Sequence, residues 1–319
     1  MFVPRRELKA RFEEENASIM GQGILLDFAG AEGYDVYNCC APFTANGKEY
    51  IFGRVEKRNE WANSKVMIFS RTEGDRWEYV EHSGFLQLED PFVSFIHGQI
   101  VLGGTHVRKK QSKVESYSCY FYKTDISTFT GDLKEFTYFT SGPNKMKDIR
   151  LVELADGRIG VFSRPNGRRF ENGAYSAVGF NIINSLDDLN AEIIESGEYI
   201  QGLFGEGEWG GVNQAILLEN GKLGIIGHMS YNDTDKDGQR QSVYCNCSFV
   251  FDINDRSCEN FKIIGTKSCY APCPPKLDRL ADCAFTSGVV KRSDGRYDLY
   301  SGAGDTHEGR MVIDDPFAM

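Results

Sequence analysis

Five places in this chain set polar and ionisable side chains at one distance from a tight turn. Seven residues beyond the glycines of Asn46-Gly47, His97-Gly98, Asp156-Gly157, Asn220-Gly221 and Asp294-Gly295 stand Arg54, Thr105, Arg164, His228 and Gly302. Seven to nine residues before the glycine, in the middle three, stand Asp90, then Asp148 with Arg150, then Asn213. Positions equally far from a hairpin turn are cross-strand neighbours, so these groups are expected together at the open ends of their hairpins. With neighbours in sequence they offer carboxylates (Asp90, Asp148, Asp305, with Glu56 and Asp282) and cations (Arg54, Lys147, Arg150, Arg164, with His228). Gathered arginine and lysine suit an anion, phosphate first, held by forked and point-charge donors. A carboxylic acid beside that anion can protonate a leaving oxygen. Inverting glycoside cleavage needs such an acid and a nucleophile on the opposite face; with phosphate as nucleophile, no second carboxylate base is required. The plainer alternative is a set of salt bridges at strand ends with no chemistry attached.

The elements that must position these groups are the hairpins themselves. APFTANGKEYIFGRVE, DPFVSFIHGQIVLGGT, IRLVELADGRIGVFSRP, NQAILLENGKLGIIGHMS and VVKRSDGRYDLYSGAGD each read apolar strand, turn, apolar strand. Four of the turns are Asn-Gly or Asp-Gly, the pairs favoured where both central residues need positive φ, and type I′ turns are expected there. Successive turns lie roughly 50 to 75 residues apart, room for about four strands each. The fold expected is all-β, a five-bladed β-propeller over residues 31–319 forming a single catalytic domain. An N-terminal extension, residues 1–30, precedes it and carries a short helix over 5–17. A two-sheet sandwich or a β-helix is the alternative. In a propeller, corresponding ends of equivalent strands converge on the axis, which would bring the polar ends face to face.

Composition narrows the partners. A net charge of −10 and a pI near 5.1 argue against nucleic acid or an anionic membrane, which are held first by summed positive field. No stretch of about 18 apolar residues or basic-then-apolar leader is found, and nine cysteines read as free thiols, so a cytoplasmic location is expected. No metal is expected, because no pair of C-x-x-C units occurs at zinc spacing. Asp233, Asp235 and Asp237 before Gly238 imitate the start of a calcium loop, but the twelfth position is Tyr244 instead of glutamate. The Gly202–Gly211 run lacks the G-K-S/T of a P-loop, and neither G-x-S-x-G nor H-E-x-x-H occurs. His82, His97, His106 and His307 show no ligand spacing.

The ordered series LEDPF, KMKDIRLVELADGRIGVFSRP, GEWGGVNQAILLENGKLGIIGHMSY and AFTSGVVKRSDGRYDLYSGAGDTHEGRMVIDDPF resembles the mannosyltransferase/phosphorylase family catalogued as domain of unknown function 1861. That family is placed in glycosyltransferase family 108 and is related to the mannoside phosphorylases of glycoside hydrolase family 130. The likeness runs from about Gly33 to Phe317. It implies a five-bladed propeller in which Asp90 is the single catalytic acid, passing its proton to the glycosidic oxygen through a hydroxyl of the neighbouring sugar. It implies phosphate on Lys147, Arg150, Arg164 and His228, with Tyr244 assisting. It puts the transferred mannosyl unit on Arg54 and Asp305. Where the phosphorylases carry a K-x-G-x-G-x-P-P-like stretch this chain has GEGEWGGVNQ, so Trp209 and Asn213 follow the family 108 pattern. Trp209 is a ring for stacking on a sugar or, equally, a core or lid aromatic.

The function expected is therefore an inverting β-mannoside phosphorylase or mannosyltransferase acting on β-1,2-mannooligosaccharides. Phosphate or mannose 1-phosphate is the co-substrate, GDP-mannose is the other donor the resemblance admits, and no cofactor is needed. Candidate sugar-binding residues are Arg54, Glu56, Asp148, Trp209, Asn213, Asp282 and Asp305. An inverting hydrolase is the first rival; it would take Glu56, Asp148 or Asp282 as base for water and would ignore phosphate. A non-catalytic carbohydrate-binding propeller is the second, and it has no need of an acid at Asp90.

Overall fold

Each of the five turns closes an antiparallel hairpin, as their sequences predict. A computed structural model of the chain describes residues 2–60, 63–110, 113–165 and 169–318. Helix α1 (Arg5–Glu15) leads into β1 (Ile24–Leu25), β2 (Asp27–Ala29), β3 (Asp35–Tyr37), β4 (Phe43–Ala45), β5 (Lys48–Glu56), β6 (Lys65–Glu73) and β7 (Arg76–Tyr79). Three four-stranded antiparallel sheets follow: β8 (Glu89–Ile96) to β11 (Thr137–Ser141), β12 (Lys147–Glu153) to β15 (Glu198–Tyr199), and β16 (Glu208–Leu217) to β19 (Cys258–Gly265). Within them lie β9 (Gln99–Lys110), β10 (Lys113–Asp125), β13 (Ile159–Arg164), β14 (Gly179–Ile183), β17 (Leu223–Thr234) and β18 (Arg240–Phe251), with the short helix α2 (Ala191–Glu195) before β15. The chain ends in β20 (Ala284–Lys291), β21 (Tyr297–Ala303) and β22 (His307–Ile313).

These last three strands join the first seven in one ten-stranded sheet, through the parallel pairing of His307 with Val36 and through β1. Residues 24–29, expected in the extension, belong to this sheet. β1 pairs with β22 at the end of the chain, while β2 pairs in parallel with β7. One strand from each successive unit neighbours the next in order, β5 to β8, β8 to β12, β12 to β16 and β16 to β20. Fully buried aromatics fill the layers between sheets, for instance Phe180 with ring centroids 4.8 Å from Phe162 and 5.0 Å from Phe251. Their large apolar area makes such rings the main ballast of a core.

Two expectations about the hairpins change. Type I′ geometry, with both central φ positive, occurs at Asn46-Gly47 (48° and 76°) and at His97-Gly98 (50° and 76°). At Asp156-Gly157, Asn220-Gly221 and Asp294-Gly295 only the glycine is left-handed. There the Asp or Asn side chain accepts the backbone N–H two residues on, from Arg158, Lys222 and Arg296, each at 3.1 Å. That bond favours a type I turn closed by a left-handed glycine. The second change concerns register. Thr105 faces Glu89, Arg164 faces Lys147 and His228 faces Gly211, because a bulge interrupts each ladder between them and the turn. Equal counting from a turn assumes an unbroken ladder, and an extra residue on one strand defeats it.

Candidate active site

The bulges build the site. Residues 90–91 of β8, 148–149 of β12, Asn213 of β16 and Ser287 of β20 are the unpaired residues at those interruptions. Asp90 (φ 49°) and Asp148 (φ 51°) are left-handed, as is Asn38 (φ 47°), which follows β3. Among residues with a Cβ, Asp and Asn take this conformation most readily, so backbone need and side-chain chemistry select the same residue types. Pro91 fits beside Asp90 because a bulged residue has no ladder bond to give, and proline has no N–H to lose.

Asp90 is buried between Arg54 and Asn38: Arg54 Nη1 donates to Asp90 Oδ1 at 2.8 Å and Asn38 Nδ2 at 3.0 Å. Burial by itself would raise this carboxyl; the charges of Arg54 and Lys147 outweigh it and hold Asp90 below the usual carboxylate range. Arg54 is fixed by donating to Ser64 Oγ and to Glu56 Oε2, each at 2.9 Å. Lys276 ion-pairs with the other oxygen of Glu56 and donates to Tyr37 Oη at 2.9 Å. The same Asn38 amide reaches Asp305 Oδ1 at 3.4 Å. Burial lifts the Asp305 carboxyl above its ordinary range; Arg54 opposes this and the Asp90 charge adds to it.

Asp148 centres the second half of the site. Its Oδ2 accepts from Arg164 Nη1, with Arg150 Nη2 at 3.8 Å from Oδ1 and His228 Nε2 at 4.0 Å from Oδ2. Burial works against ionisation of Asp148, and the charges of Arg164 and Arg150 outweigh it, so it stays a carboxylate. His228 Nδ1 lies 2.8 Å from Asn213 Oδ1, while its Nε2 and Arg164 Nε are buried without partners. An acceptor at Asn213 makes Nδ1 the protonated nitrogen and leaves Nε2 as a lone-pair acceptor toward a donor in the site. Burial pushes the imidazole down to about 3, so it is neutral. Gly211 permits this closeness: a Cβ there would lie 2.9 Å from Arg164 Cδ and 3.3 Å from His228 Cε1. Lys147, at 3.5 Å from Glu89 Oε2, has the most open side chain of the four candidate cations, 30% exposed. Trp209 is half-buried and donates from Nε1 to Tyr244 Oη at 3.3 Å, which ties the two rings together.

Twelve of the thirteen candidate residues thus fall into two adjoining clusters, around Asp90 and around Asp148. Asp282 does not: its carboxylate pairs with Lys9 of α1 at 3.1 Å, and only its backbone carbonyl touches the set, accepting from Tyr244 N. Asn38, Tyr37, Glu89, Lys276 and the buried Glu308 belong to the site region without having been candidates. For Asn38 and Ser287 the signal was present, since each precedes its turn glycine by the spacing that marks Asp90 and Asp148. Lys276 comes from the loop before β20, and no spacing announces it. Among the described residues, no group of three or more His, Cys, Asp or Glu is arranged to hold a metal, and no helix is long and apolar enough to cross a membrane. The Asp233–Gly238 loop has Asp235 bonded to its own backbone, at Asp237 N and Gln239 N.

Comparison with known proteins gives this geometry relatives. Residues 11–319 match the model of a family described as protein of unknown function (DUF1861). A mannose phosphorylase from Leishmania mexicana, solved in complex with phosphate ion, is 50% identical, with a TM-score of 0.90 covering 98% of this chain and 93% of that one. A GDP-Man-dependent mannosyltransferase from the same organism is 46% identical, with a TM-score of 0.89 covering 98% and 96%. An endo-arabinase from Bacteroides thetaiotaomicron, 12% identical with a TM-score of 0.53 over 91% and 97%, shares the fold alone. None of the curated proteins matches the chain.

Proposed function

The chain belongs to the DUF1861 family, and we propose that it is an enzyme that transfers mannosyl units, an inverting β-mannoside phosphorylase acting on β-1,2-mannooligosaccharides. The observation that carries this reading is the adjacency of one buried acid, Asp90, to a cation set around Asp148 whose Arg164 Nε and His228 Nε2 have no partner. Arg164, Lys147 and Arg150 supply charge and N–H donors for phosphate, and neutral His228 accepts a hydrogen bond from the protonated phosphate oxygen. Arg54 and Asp305 face the mannosyl unit. Phosphate attacks the anomeric carbon as the glycosidic C–O bond breaks, and Asp90 supplies the proton that the leaving oxygen takes. A β-mannoside then yields α-mannose 1-phosphate in one displacement. An incoming phosphate dianion offsets the field of Lys147 and Arg54 that keeps Asp90 ionised, and so raises its proton affinity when the acid is needed.

Three carboxylates that a hydrolase would use to activate water are each engaged by a cation: Glu56 by Arg54 and Lys276, Asp148 by Arg164, Asp282 by Lys9. That favours phosphate over water as nucleophile. GDP-mannose is the second donor considered, on the strength of the 46% identical GDP-Man-dependent relative. The architecture we assign is a five-bladed propeller in which the ten-stranded sheet is two blades, β2 to β7 and β20 to β22 with β1, joined by the His307–Val36 pair. All nine cysteines are free thiols, in keeping with the reducing cytoplasm. The test is incubation with β-1,2-mannobiose with and without inorganic phosphate, assaying mannose 1-phosphate and free mannose separately. Mannose 1-phosphate formed only with phosphate is the expected result. Free mannose independent of phosphate would move the protein to the hydrolases, and no product would direct the assay to GDP-mannose.

A further inference from the structure

Beside the site, β9 and β10 outrun their neighbours in the sheet. β8 begins at Glu89, opposite Thr105, and β11 pairs only with residues 120–123 of β10. Residues 106–110 and 113–118 therefore continue as a two-stranded ribbon past the end of the hairpin that carries Asp90. A bare ribbon contributes little stability of its own. One face of it, on which His106 pairs with Ser118 and Arg108 with Ser116, borders a cavity of about 300 Å³ that Ser141, Asn144 and Tyr120 complete. The wall of this cavity is fixed. The His106 ring stacks on Tyr120 with centroids 4.6 Å apart, Arg108 Nη2 donates to Tyr120 Oη at 3.2 Å, and His106 Nδ1 lies 3.0 Å from the carbonyl oxygen of Gln87. That carbonyl makes Nδ1 the donor, and in the neutral ring Nε2 is left as an acceptor. The chemistry above makes no use of this cavity.

We propose that this cavity is a distal subsite for the leaving end of the oligosaccharide, holding a sugar unit beyond the one that takes the proton from Asp90. The inference rests on the reading of Asp90 as the acid and of the Asp148 cluster as the anion site. In an inverting displacement the nucleophile and the leaving oxygen stand on opposite faces of the transferred sugar. With phosphate at Arg164 of β13 and His228 of β17, the leaving sugar lies toward Asp90 on β8. Thr105 of β9 faces Glu89, the residue before Asp90, and His106 is the next residue along. β10 is two strands out from β8, about 10 Å at the usual strand spacing, a distance that a short glycan spans. The lining selects a polyol over an anion. Arg108 and the Asn144 amide donate, Asn144 Oδ1 and His106 Nε2 accept, and the hydroxyls of Ser116, Ser118 and Ser141 do both. Sugar hydroxyls need partners of both kinds, whereas a phosphate needs donors. The consequence is a preference for chains longer than a disaccharide.

The test compares β-1,2-mannobiose with β-1,2-mannotetraose in phosphorolysis, for the wild type and three variants. Ser118→Ile fills the cavity with a side chain that strands favour, and Asn144→Ala removes an amide from an exposed loop. Lys109→Ala, on the opposite face of the ribbon, is the control. In the wild type kcat/KM should be about tenfold higher for the tetraose, the worth of one or two net hydrogen bonds. Ser118→Ile should bring that ratio near one, Asn144→Ala should lower it by about threefold, and Lys109→Ala should keep it. Calorimetric titration of both sugars into Asp90→Asn protein without phosphate, with and without Ser118→Ile, should give the same pattern in Kd. A ratio near one in the wild type, or one that Ser118→Ile leaves unchanged, would overturn the proposal. So would a second equivalent of bound phosphate that is lost in Ser118→Ile, which would make the cavity an anion site. If the wild type turns over neither sugar, the reading of the reaction fails. The subsite then stands if the tetraose binds more tightly than the biose through Ser118, and falls if the two bind alike or not at all.

Discussion

Replacing Asp148 by Asn is the sharpest probe of the anion half of the site. The amide keeps the shape and removes the charge that faces Arg164, Arg150 at 3.8 Å and His228 at 4.0 Å. Deleting one member of a buried pair costs about 3–5 kcal/mol, mostly for the cation left unbalanced. Arg164 keeps 12% of its side chain exposed, so the low end, about 3 kcal/mol, is expected. In a domain of this size that lowers Tm by roughly 6 °C. A phosphate dianion replaces the lost charge, so its affinity should rise, by about tenfold for about 1.4 kcal/mol of relieved repulsion. At about a hundred times Kd, phosphate contributes about 2.7 kcal/mol to stability and should restore most of the lost Tm. The assay is a thermal scan of both proteins with and without saturating phosphate, with calorimetric titration of phosphate. A Tm unchanged by the substitution, or weaker phosphate binding with no restoration of Tm, would refute the picture of Asp148 as the balance of the cation set.

Asp90→Asn is expected to lower kcat by about 10³-fold or more with the fold intact by circular dichroism, since positioned acids contribute about 10²–10⁴. Arg164→Ala should raise KM for phosphate by about 30-fold, the worth of one charge-assisted hydrogen bond, with a smaller change in kcat. The His228 imidazole is held down to about 3, below its unfolded value near 6.5. The unfolded chain therefore binds the extra proton first, and folding stability is lost as pH falls from about 6.5 toward 3, by roughly 5 kcal/mol in all. Denaturant unfolding across that range should show the wild type losing this stability as pH falls and His228→Gln lacking that loss. Asp282→Ala, which loses its pairing with Lys9 outside the two clusters, should leave kcat within about threefold, a change typical of sites away from the chemistry.

Some of this was written in local sequence. Turn pairs and apolar alternation located all five hairpins and an N-terminal helix, because turn chemistry and strand patterning are properties of a few consecutive residues. The even spacing of polar residues from those turns marked Asp90, Arg164, Asn213 and His228, since the hairpin carries each to the same end. What the tertiary structure decided is which of these groups meet. The extra residue at each bulge cannot be counted from one strand, for it is defined only against its partner, and it turned the expected cross-strand pairs into Asp90 with Arg54 and Asp148 with Arg164. Asp282, as acidic and as near the last hairpin as Asp305, was drawn off by Lys9 from 273 residues away. Lys276 and the two hydrogen bonds that Asn38 donates to Asp90 and Asp305 likewise join distant segments. Burial then set the shifts: Arg54 holds the Asp90 carboxyl below its usual range where desolvation alone would raise it, and the Asp305 carboxyl, sharing the same amide, is pushed up by desolvation. Local residues can specify a turn or a donor, whereas protonation depends on dielectric and on neighbours that only folding brings within a few ångströms.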